Sequence, residues 1–300
     1  MAFHLFGNIL TSYGTAANNR GETEGNITTL QKLLWHGEVH TTVSAEAIRW
    51  ALRYYWQAAG NGYQVNRRWD DEQNDNVWQN SNFNDVDFID DDVLGFMRAE
   101  GAKIEASDEP KTKGKKPKGT TTAKRGVLEV TRAVSLMPYN GDITFNAASG
   151  KKGRTSLYNT EVHATRYQYG FALTPDRLKD KSRIMDVLEG LACLGEVGGN
   201  HSRFLYDFSP DSLILRWTHD FSPRILYCFA GSQEAEITVP DLIRRVKSKD
   251  IDANELWVGG AITNTLDGET LEELGANVFP GVKETLKDLK EQLATDLKLY

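Results

Sequence analysis

The sequence is poor in the features that mark several protein classes, beginning with cysteine. Its 300 residues include only two cysteines, Cys193 and Cys228, too few for a disulfide framework or a zinc knuckle. No run of about 18 apolar residues is present, so we expect no membrane-spanning helix. The first eight residues lack both a basic segment and an apolar core, so no secretion signal is expected. A reducing, cytoplasmic setting fits these absences best.

The second deficit is in basic charge. Lys and Arg total 35 against 42 Asp and Glu, which gives a formal charge of −7. This balance excludes a polybasic protein that holds nucleic acid through bulk charge alone. The acidic excess is local, because nine acids and no Lys or Arg lie between Trp69 and Asp92. Without these nine acids, 35 basic residues face 33 acidic ones, a balance of +2, so specific nucleic-acid binding elsewhere stays open.

Residues 66–126 differ in composition from the chain on either side. The acidic stretch 70–92 precedes a Lys/Gly/Pro/Thr-rich segment, whose low hydrophobicity and high charge predict a mobile loop over 105–125. We therefore interpret 66–126 as an insertion into a fold built from residues 1–65 and 127–300. The acidic stretch itself is interpreted as a solvated or partner-facing surface.

Hydrophobic periodicity predicts alternating strands and helices in the two flanking halves. Ser44 is placed to cap the first helix, and a stripe of leucines marks the last one. The predicted strands cover 3–12, 127–137 and 161–173, and the predicted helices cover 45–58, 180–193 and the region of Leu286, Leu289, Leu293 and Leu297. This order indicates an α+β sheet domain of the split βαβ kind.

The sequence patterns of nucleotide-binding and hydrolase sites are incomplete. The phosphate-loop pattern near Gly150 has Phe145 where its first glycine belongs and Lys152 where Ser or Thr is needed. Neither G-x-G-x-x-G nor G-x-S-x-G occurs, so dinucleotide-binding and α/β-hydrolase interpretations lack support.

Histidines can serve as metal ligands or as acid–base catalysts, and the chain has six. In segment 36–40 two histidines and a glutamate would share one face of a strand, and imidazole with carboxylate suits zinc or manganese. No further His or Cys follows at a recognised spacing, so a polar strand edge or turn is the preferred interpretation. His163, His201 and His219 lack a Ser, Cys or Asp partner by spacing, which leaves nucleophilic catalysis unsupported.

After these patterns are excluded, one group of candidate binding residues is left. Its members are positive, small or aromatic and lie in separate segments. A protein that binds single-stranded nucleic acid needs such residues. Cations bind the phosphates, glycines allow the protein backbone to approach closely, and aromatic groups stack on the bases. A solvated helix face is the alternative interpretation for the two arginines at 49 and 53. The set comprises Asn19, Arg20, Arg49, Arg53, Trp56, Lys151, Lys152, Arg154, Gly198, Gly199 and Asn200.

Several short segments within residues 1–230 together resemble one protein family. The segments are Gly7-Asn8-Ile9-Leu10-Thr11-Ser12, Asn19-Arg20, Val43-Ser44-Ala45-Glu46-Ala47-Ile48-Arg49-Trp50-Ala51-Leu52-Arg53, Met137-Pro138-Tyr139-Asn140-Gly141-Asp142, Phe145-Asn146, Glu161-Val162-His163-Ala164-Thr165-Arg166-Tyr167-Gln168-Tyr169 and Gly198-Gly199-Asn200-His201-Ser202-Arg203-Phe204. They are similar to the backbone subunit of the type I CRISPR surveillance complex Cascade, in the DevR branch of the repeat-associated RAMP superfamily. The Val-Ser-x-x-x-Ile-Arg helix start is the most diagnostic.

The resemblance implies an RNA-recognition-like (ferredoxin-type) palm with a helical fingers insertion and a β-hairpin thumb. The palm would be built from 1–65 and 127–300, the fingers from 66–126 and the thumb from 138–160. In this family several copies polymerise along one guide RNA with other Cascade subunits, and the guide pairs with target DNA. The resemblance therefore implies a non-catalytic, RNA-binding subunit of antiviral defence without cofactor, metal or membrane partner.

The resemblance also implies roles for individual residues. Ser44 has a competing structural role as a helix N-cap, and Met137 has one in ordinary core packing. The implied RNA-binding residues are Asn19, Arg20, Ser44, Arg49 and Arg53 for phosphates, Gly198, Gly199 and Asn200 for close backbone approach, Lys151, Lys152 and Arg154 on the thumb, and Met137 as an apolar wedge at a kink in the guide.

Two other functions stay open at this point. A related RNA-binding fold can be a RAMP-type ribonuclease that processes guide RNA or cuts target RNA, with His163 or His201 as acid–base catalyst. The acidic stretch 70–92 can alternatively be the binding face of a protein–protein module. An RNA cleavage assay tests the first function, and particle size on addition of RNA tests the second.

Overall fold

Strands dominate the chain, and helices pack against them in a mixed α+β arrangement. A computed structural model describes residues 1–17, 23–99, 121–148, 156–195, 197–198, 206–231 and 237–299. In chain order the first ten described strands are β1 (His4–Thr11), β2 (Gly14–Ala17), β3 (Thr23–Glu24), β4 (Ile27–Thr28), β5 (Lys32–Trp35), β6 (Glu38–Val43), β7 (Arg67–Asp70), β8 (Asp75–Trp78), β9 (Phe96–Ala99) and β10 (Thr121–Lys124).

Ten more strands, six α-helices and three short 3-10 helices complete the described elements. The strands are β11 (Leu128–Val130), β12 (Ala133–Ser135), β13 (Asp142–Ala148), β14 (Ser156–Thr165), β15 (Tyr167–Leu173), β16 (Pro210–Thr218), β17 (Ala230–Gly231), β18 (Ile237–Thr238), β19 (Leu256–Gly260) and β20 (Asn277–Phe279). The helices are α1 (Ala45–Ala58), α2 (Ile89–Val93), α3 (Arg183–Ala192), α4 (Pro240–Lys247), α5 (Leu266–Glu273) and α6 (Val282–Leu297). Among the described residues, no helix combines the length and the apolar content needed to cross a membrane.

Nine of the described strands form the main sheet. Their order is β20-β19-β16-β1-β15-β12-β6-β5, and β11 also pairs with β15. The pairs are antiparallel except for the parallel pair of β19 and β20. At the centre, β16, β1, β15 and β11 are neighbours, while in the chain α1 lies between β1 and β11 and α3 between β15 and β16. The α+β class expected from the sequence is confirmed.

Helices cover both faces of the main sheet, so the central strand β1 is buried along its whole length. Leu5 belongs to the apolar cluster that includes α1, α3 and α6, whereas Phe6 belongs to the cluster that includes α4 and α5. Gly7 is required by packing, because a Cβ atom there would lie 2.1 Å from Cε1 of Phe171. The strand predicted over 3–12 is confirmed.

Helix α1 covers the predicted range, and its start is fixed by the predicted cap. The Oγ of Ser44 accepts a hydrogen bond from the backbone N of Ala47 at 3.2 Å. Leu52 and Trp56 are buried in the core, so the apolar stripe of the helix faces the sheet. Helices α3 and α6 also confirm the predictions for their regions, with α3 slightly shorter than predicted.

The strand predicted over 161–173 consists of two strands in different sheets. β14 lies in a five-stranded sheet of order β13-β14-β4-β3, with β2 also paired to β14, whereas β15 lies in the main sheet. The chain changes sheets at Arg166, whose Nη1 lies 2.6 Å from Oδ2 of Asp211. The strand predicted over 127–137 is likewise divided, into β11 and β12. Both predictions were wrong in treating each segment as one continuous strand.

Strands β13 and β14 form a long antiparallel pair. The pairing runs from Asp142 opposite Val162 to Ala148 opposite Ser156. Residues 149–155, which connect the two strands in sequence, lie outside the described residues. The pair occupies most of the region for which the resemblance implies a thumb.

Three consecutive aspartates in α2 are buried inside the fold. Residues 90–92 are at most 1% exposed. Cations from both flanking halves of the chain reach them, since Arg53 donates to Asp90 at 3.1 Å and Arg183 donates to Asp92 at 2.7 Å. The interpretation of the acidic stretch as a solvated surface is therefore wrong for these three residues, because each carboxylate has internal donors. The acids in the turn between β7 and β8 are exposed.

His36 lies in a turn rather than on a strand. The β5–β6 pairing places Trp35 opposite Glu38 and leaves His36 and Gly37 as a two-residue turn. Their φ values of 51° and 86° are both positive, as a type I′ hairpin turn requires. His36 consequently does not share a strand face with Glu38 and His40, and the turn interpretation of this segment is confirmed.

Candidate functional site

A groove beside the β5–β6 hairpin, here called the polar groove, encloses about 490 Å³. Its cations are Lys32 and Arg132, and none of the described residues that line it is an acid. The groove therefore presents positive charge to whatever enters it. The lining residues are Thr29, Leu30, Gln31, Lys32, Leu33, Thr42 and Arg132.

Arg132 is held at the groove by two oxygens of its lining. Its Nη1 donates to Oε1 of Gln31 at 3.1 Å and to Oγ1 of Thr42 at 3.2 Å. The backbone N of Thr42 also donates to the backbone O of Gln31 at 2.8 Å, which fixes the two acceptors relative to each other. The guanidinium is exposed but oriented, a state that suits it to bind an anion without much loss of side-chain entropy.

Glu161 anchors two lining residues of the groove, Leu30 and Lys32. Its carboxylate accepts from the backbone N of Leu30 at 2.7 Å, from Nζ of Lys32 at 2.6 Å and from the hydroxyl of Tyr139 at 2.6 Å. Lys32 also lies 4.6 Å from the centre of the Tyr139 ring, within range of a cation–π contact. Burial raises the pKa of Glu161, but these hydrogen bonds outweigh it and lower the pKa below its usual range.

A buried polar chain lies behind the groove. Nδ1 of His163 is 2.8 Å from Oγ1 of Thr41, which is 2.9 Å from the hydroxyl of Tyr167. Burial lowers the pKa of His163 to about 4, so the imidazole is neutral at physiological pH. Because His163 is only 2% exposed, it supports β6 and β14 from within and does not face a ligand in solution.

The start of α1 adjoins the polar groove, since Thr42 lines the groove and Ser44 caps the helix. Nη2 of Arg49 donates to the backbone O of Leu94, just after α2. Nε of Arg53 donates to Oδ2 of Asp90 at 3.1 Å, and the Arg53 side chain is only 15% exposed. Both arginines therefore connect α1 to the inserted region.

Comparison with known proteins shows the family of the chain. No protein-family model matches it. A protein of Myxococcus xanthus (strain DK1622), described as "CRISPR-associated protein Cas7/Cst2/DevR", is 49% identical over 299 residues, which covers 94% of this chain and 95% of that protein. The chain belongs to the Cas7/Cst2/DevR family. This agrees with the family resemblance found from the sequence segments.

Solved structures share the fold of this Cas7/Cst2/DevR chain. A chain of a "CRISPR RNA-guided surveillance complex" matches with a TM-score of 0.57 at 15% identity, over 97% of this chain and 99% of that one. A chain of the complex titled "CRISPR RNA-guided surveillance complex, pre-nicking" matches with a TM-score of 0.55 at 12% identity, over 95% and 99% of the two chains. The likeness at this identity shows a common fold.

Five of the residues predicted to bind RNA fall within the described part of this Cas7/Cst2/DevR chain. Met137 is half-buried two residues after β12, and its backbone O accepts from Oγ of Ser135 at 2.7 Å. Gly198 has a φ of 75°, a conformation that favours glycine. The described five are Ser44, Arg49, Arg53, Met137 and Gly198. The predicted residues outside the described part are Asn19, Arg20, Lys151, Lys152, Arg154, Gly199 and Asn200.

The cations of the polar groove were missed by the sequence predictions. Lys32 and Arg132 lie in no segment that carries the family resemblance, and 100 positions separate them in the chain. Glu161 was the only partial indication of the groove in the sequence predictions, because it lies in a segment that carries the family resemblance. Its hydrogen-bond partners, however, lie up to 131 positions away in the chain. The groove forms only when β5, β6 and the residues before β12 come together, so no local pattern indicates it.

Proposed function

We propose that this chain is a backbone subunit that binds CRISPR guide RNA and holds its phosphates. The observation that carries the proposal is the 49% identity over 299 residues with the Cas7/Cst2/DevR protein of Myxococcus xanthus. The fold likeness to a chain of a CRISPR RNA-guided surveillance complex supports guide RNA as the partner.

The proposed architecture is an RNA-recognition-like palm built from residues 1–65 and 127–300. The central strand order β16-β1-β15-β11, with α1 and α3 as the connecting helices, supports a ferredoxin-type palm. We assign the insertion 66–126 to the fingers and residues 138–160, which contain β13 and the first half of β14, to the thumb.

The residues at the start of α1 support an RNA contact in the palm. The Oγ of Ser44 accepts from the helix backbone, which leaves its O–H available to donate to a phosphate oxygen, so capping and RNA binding are compatible. Arg49 is half-exposed and contacts phosphate in this proposal. We assign Arg53 to holding Asp90, because removing its guanidinium would leave a buried carboxylate without its cation. Met137 is proposed as the apolar wedge at a kink in the guide.

The residues outside the described part complete the proposed interface. They supply cations on the thumb, small residues for close approach and a polar pair after β2. They are Asn19, Arg20, Lys151, Lys152, Arg154, Gly199 and Asn200.

Assembly is part of the proposal. Neighbouring copies of the chain would line up along one guide in the cytoplasm, together with other Cascade subunits, and the exposed bases would pair with target DNA. Base pairing would then read the sequence while the protein binds the backbone. The acidic −7 charge of the chain is compatible with this, because binding would rest on oriented cations and cooperative assembly rather than on bulk charge.

We propose a non-catalytic role, and the ribonuclease alternative provides its test. The purified chain, incubated with labelled single-stranded RNA with and without Mg²⁺, is expected to bind the RNA and leave it intact. Binding should weaken steeply as salt rises, because phosphate contacts release counterions. Cleavage that persists in the pure protein and is abolished by His201→Ala in a variant that remains folded would favour the ribonuclease. Absence of RNA binding at low salt would refute the proposal.

A further inference from the structure

We propose that the polar groove binds a backbone phosphate of single-stranded RNA through Arg132 and Lys32. The inference rests on the proposed guide-RNA function and adds a contact to it, since neither residue lies in a segment that carries the family resemblance. The inference follows from two oriented cations that line one open groove of about 490 Å³.

Arg132 has donors to spare for an anion. Its Nη1 is fixed by Gln31 and Thr42, while among the described residues neither Nε nor Nη2 has a hydrogen-bond partner. A guanidinium held in this way offers N–H groups in a fixed geometry that matches two oxygens of a phosphate.

Lys32 adds a second positive charge to the groove, and the groove keeps a net positive charge that favours binding of an anion. Its Nζ donates to Glu161, but that carboxylate also accepts from the backbone N of Leu30 and from Tyr139 and is only 12% exposed. Lys32 itself is 31% exposed, so its ammonium keeps N–H groups on the groove side of the pair. With no acid in the described lining, the groove carries a net positive charge even after Glu161 is counted.

The surroundings fit a polymer strand better than a small free anion. The groove is open, and the hairpin beside it exposes Leu33, Leu34 and Val39 by 39%, 71% and 43%. Apolar groups beside cations are the combination that single-stranded nucleic acid uses, with bases and riboses against the former and phosphates against the latter. Thr42 lines the groove, and Ser44, two residues later, is the proposed phosphate contact at the start of α1. One RNA strand could therefore contact both places.

The test compares Arg132→Glu with a matched control in the full-length chain. Arg244→Glu makes the same charge change at a 60% exposed arginine of α4, outside the groove. Dissociation constants for a short single-stranded RNA are measured over a range of salt concentrations. We expect Arg132→Glu to weaken binding at least about tenfold and to reduce the magnitude of the salt slope by about 0.7 or more. Arg244→Glu should change binding less than about twofold.

Two further arms identify the ligand as a phosphate. Arg132→Lys keeps the charge but not the fork of N–H groups, so it should retain only part of the affinity. Arg132→Gln should lose more of the affinity than Arg132→Lys, without the repulsion that glutamate adds. An RNA analogue with an uncharged methylphosphonate backbone should bind wild type and Arg132→Gln equally. Circular dichroism melting checks that each variant is folded, and Arg132→Gln replaces Arg132→Glu if the latter is not.

The outcomes separate this inference from the function on which it rests. If wild type binds RNA but folded Arg132 variants bind with unchanged affinity and salt slope, the groove contact is wrong and the proposed function stands. If Arg132→Gln weakened binding of the methylphosphonate analogue as much as it weakened binding of RNA, the phosphate contact would also be wrong. If wild type itself does not bind RNA, the proposed function fails.

Discussion

Replacement of Asp92 by asparagine is expected to lower the free energy of unfolding by about 3–5 kcal/mol. The Asp92 side chain is fully buried and accepts from Lys124, from Nη1 of Arg183 at 2.7 Å, and from the backbone N of Lys179 at 3.0 Å. An amide would remove the negative charge that the largely buried Arg183 and Lys124 share. Among the described residues Arg183 would keep only backbone carbonyl acceptors, whereas Lys124 would keep the carboxylate of Asp85 at 3.0 Å. Urea unfolding followed by circular dichroism measures the change.

Asp91→Asn is the matched control, since it is the same substitution at the adjacent, equally buried aspartate. Both bonds to Asp91, from Nδ2 of Asn66 at 2.8 Å and from the backbone N of Asn84 at 2.9 Å, end on one oxygen. An asparagine oxygen can accept both, and no cation loses a hydrogen bond. We expect a change within about 1 kcal/mol. Equal effects at the two positions would contradict a stabilising role for the negative charge of Asp92 beside Lys124 and Arg183.

The two aspartates should also differ in their effect on acid stability. Burial raises the pKa of Asp92, but hydrogen bonds from Lys124, Lys179 and Arg183 outweigh it and lower the pKa. Its stabilisation is therefore complete above the ordinary aspartate pKa of about 3.9 and is lost as pH falls through the lowered folded value. Burial raises the pKa of Asp91, so its ionised form costs stability at neutral pH, and this cost disappears as pH falls.

Glu161→Ala is expected to lower the free energy of unfolding by about 2–4 kcal/mol and to weaken RNA binding at the polar groove. The substitution leaves the backbone N of Leu30, the ammonium of Lys32 and the hydroxyl of Tyr139 without their shared acceptor. The same urea titration gives the stability change, and the RNA titration gives the binding change at a temperature where the variant is folded.

Glu129→Ala provides the control for this substitution. Glu129 is 48% exposed and pairs with the exposed Arg125, so its loss should change stability by no more than about 0.5 kcal/mol and leave RNA binding unaltered. Because the pKa of Glu161 is lowered, its stabilisation is present above the ordinary glutamate pKa of about 4.3 and falls away below it. A Glu161→Ala protein as stable as Glu129→Ala would show that the carboxylate does not hold the groove wall.

Local patterns were sufficient to predict the elements that rely on local interactions. Ser44 and the apolar spacing of α1 contain their own start signal and buried face, so the helix was predicted at its observed bounds. The strand β1 was predicted from its local sequence, and in the fold its residues are buried on both faces of the sheet. The short resembling segments identified the family, which the 49% identity confirms.

Long-range contacts account for what sequence reasoning missed. The three aspartates of α2 look like a solvated charge run, because the cations that reach them, such as Arg53 and Arg183, come from 37 and 91 positions away. The contact between Arg53 and the buried Asp90 is likewise invisible to helical spacing, while a phosphate contact of Arg53 stays a prediction. The groove cations Lys32 and Arg132 meet only through the sheet order, which alternation alone does not determine.

The most direct test of the account is the mass of the complex formed on guide RNAs of increasing length, measured by light scattering after size-exclusion chromatography. If the chain is a backbone subunit, the mass should rise in steps of one protein copy as the RNA is lengthened. Electron micrographs of the same fractions should show a ladder of repeated units. A complex with one copy per RNA at every length, or a protein that elutes without RNA, would contradict the central claim.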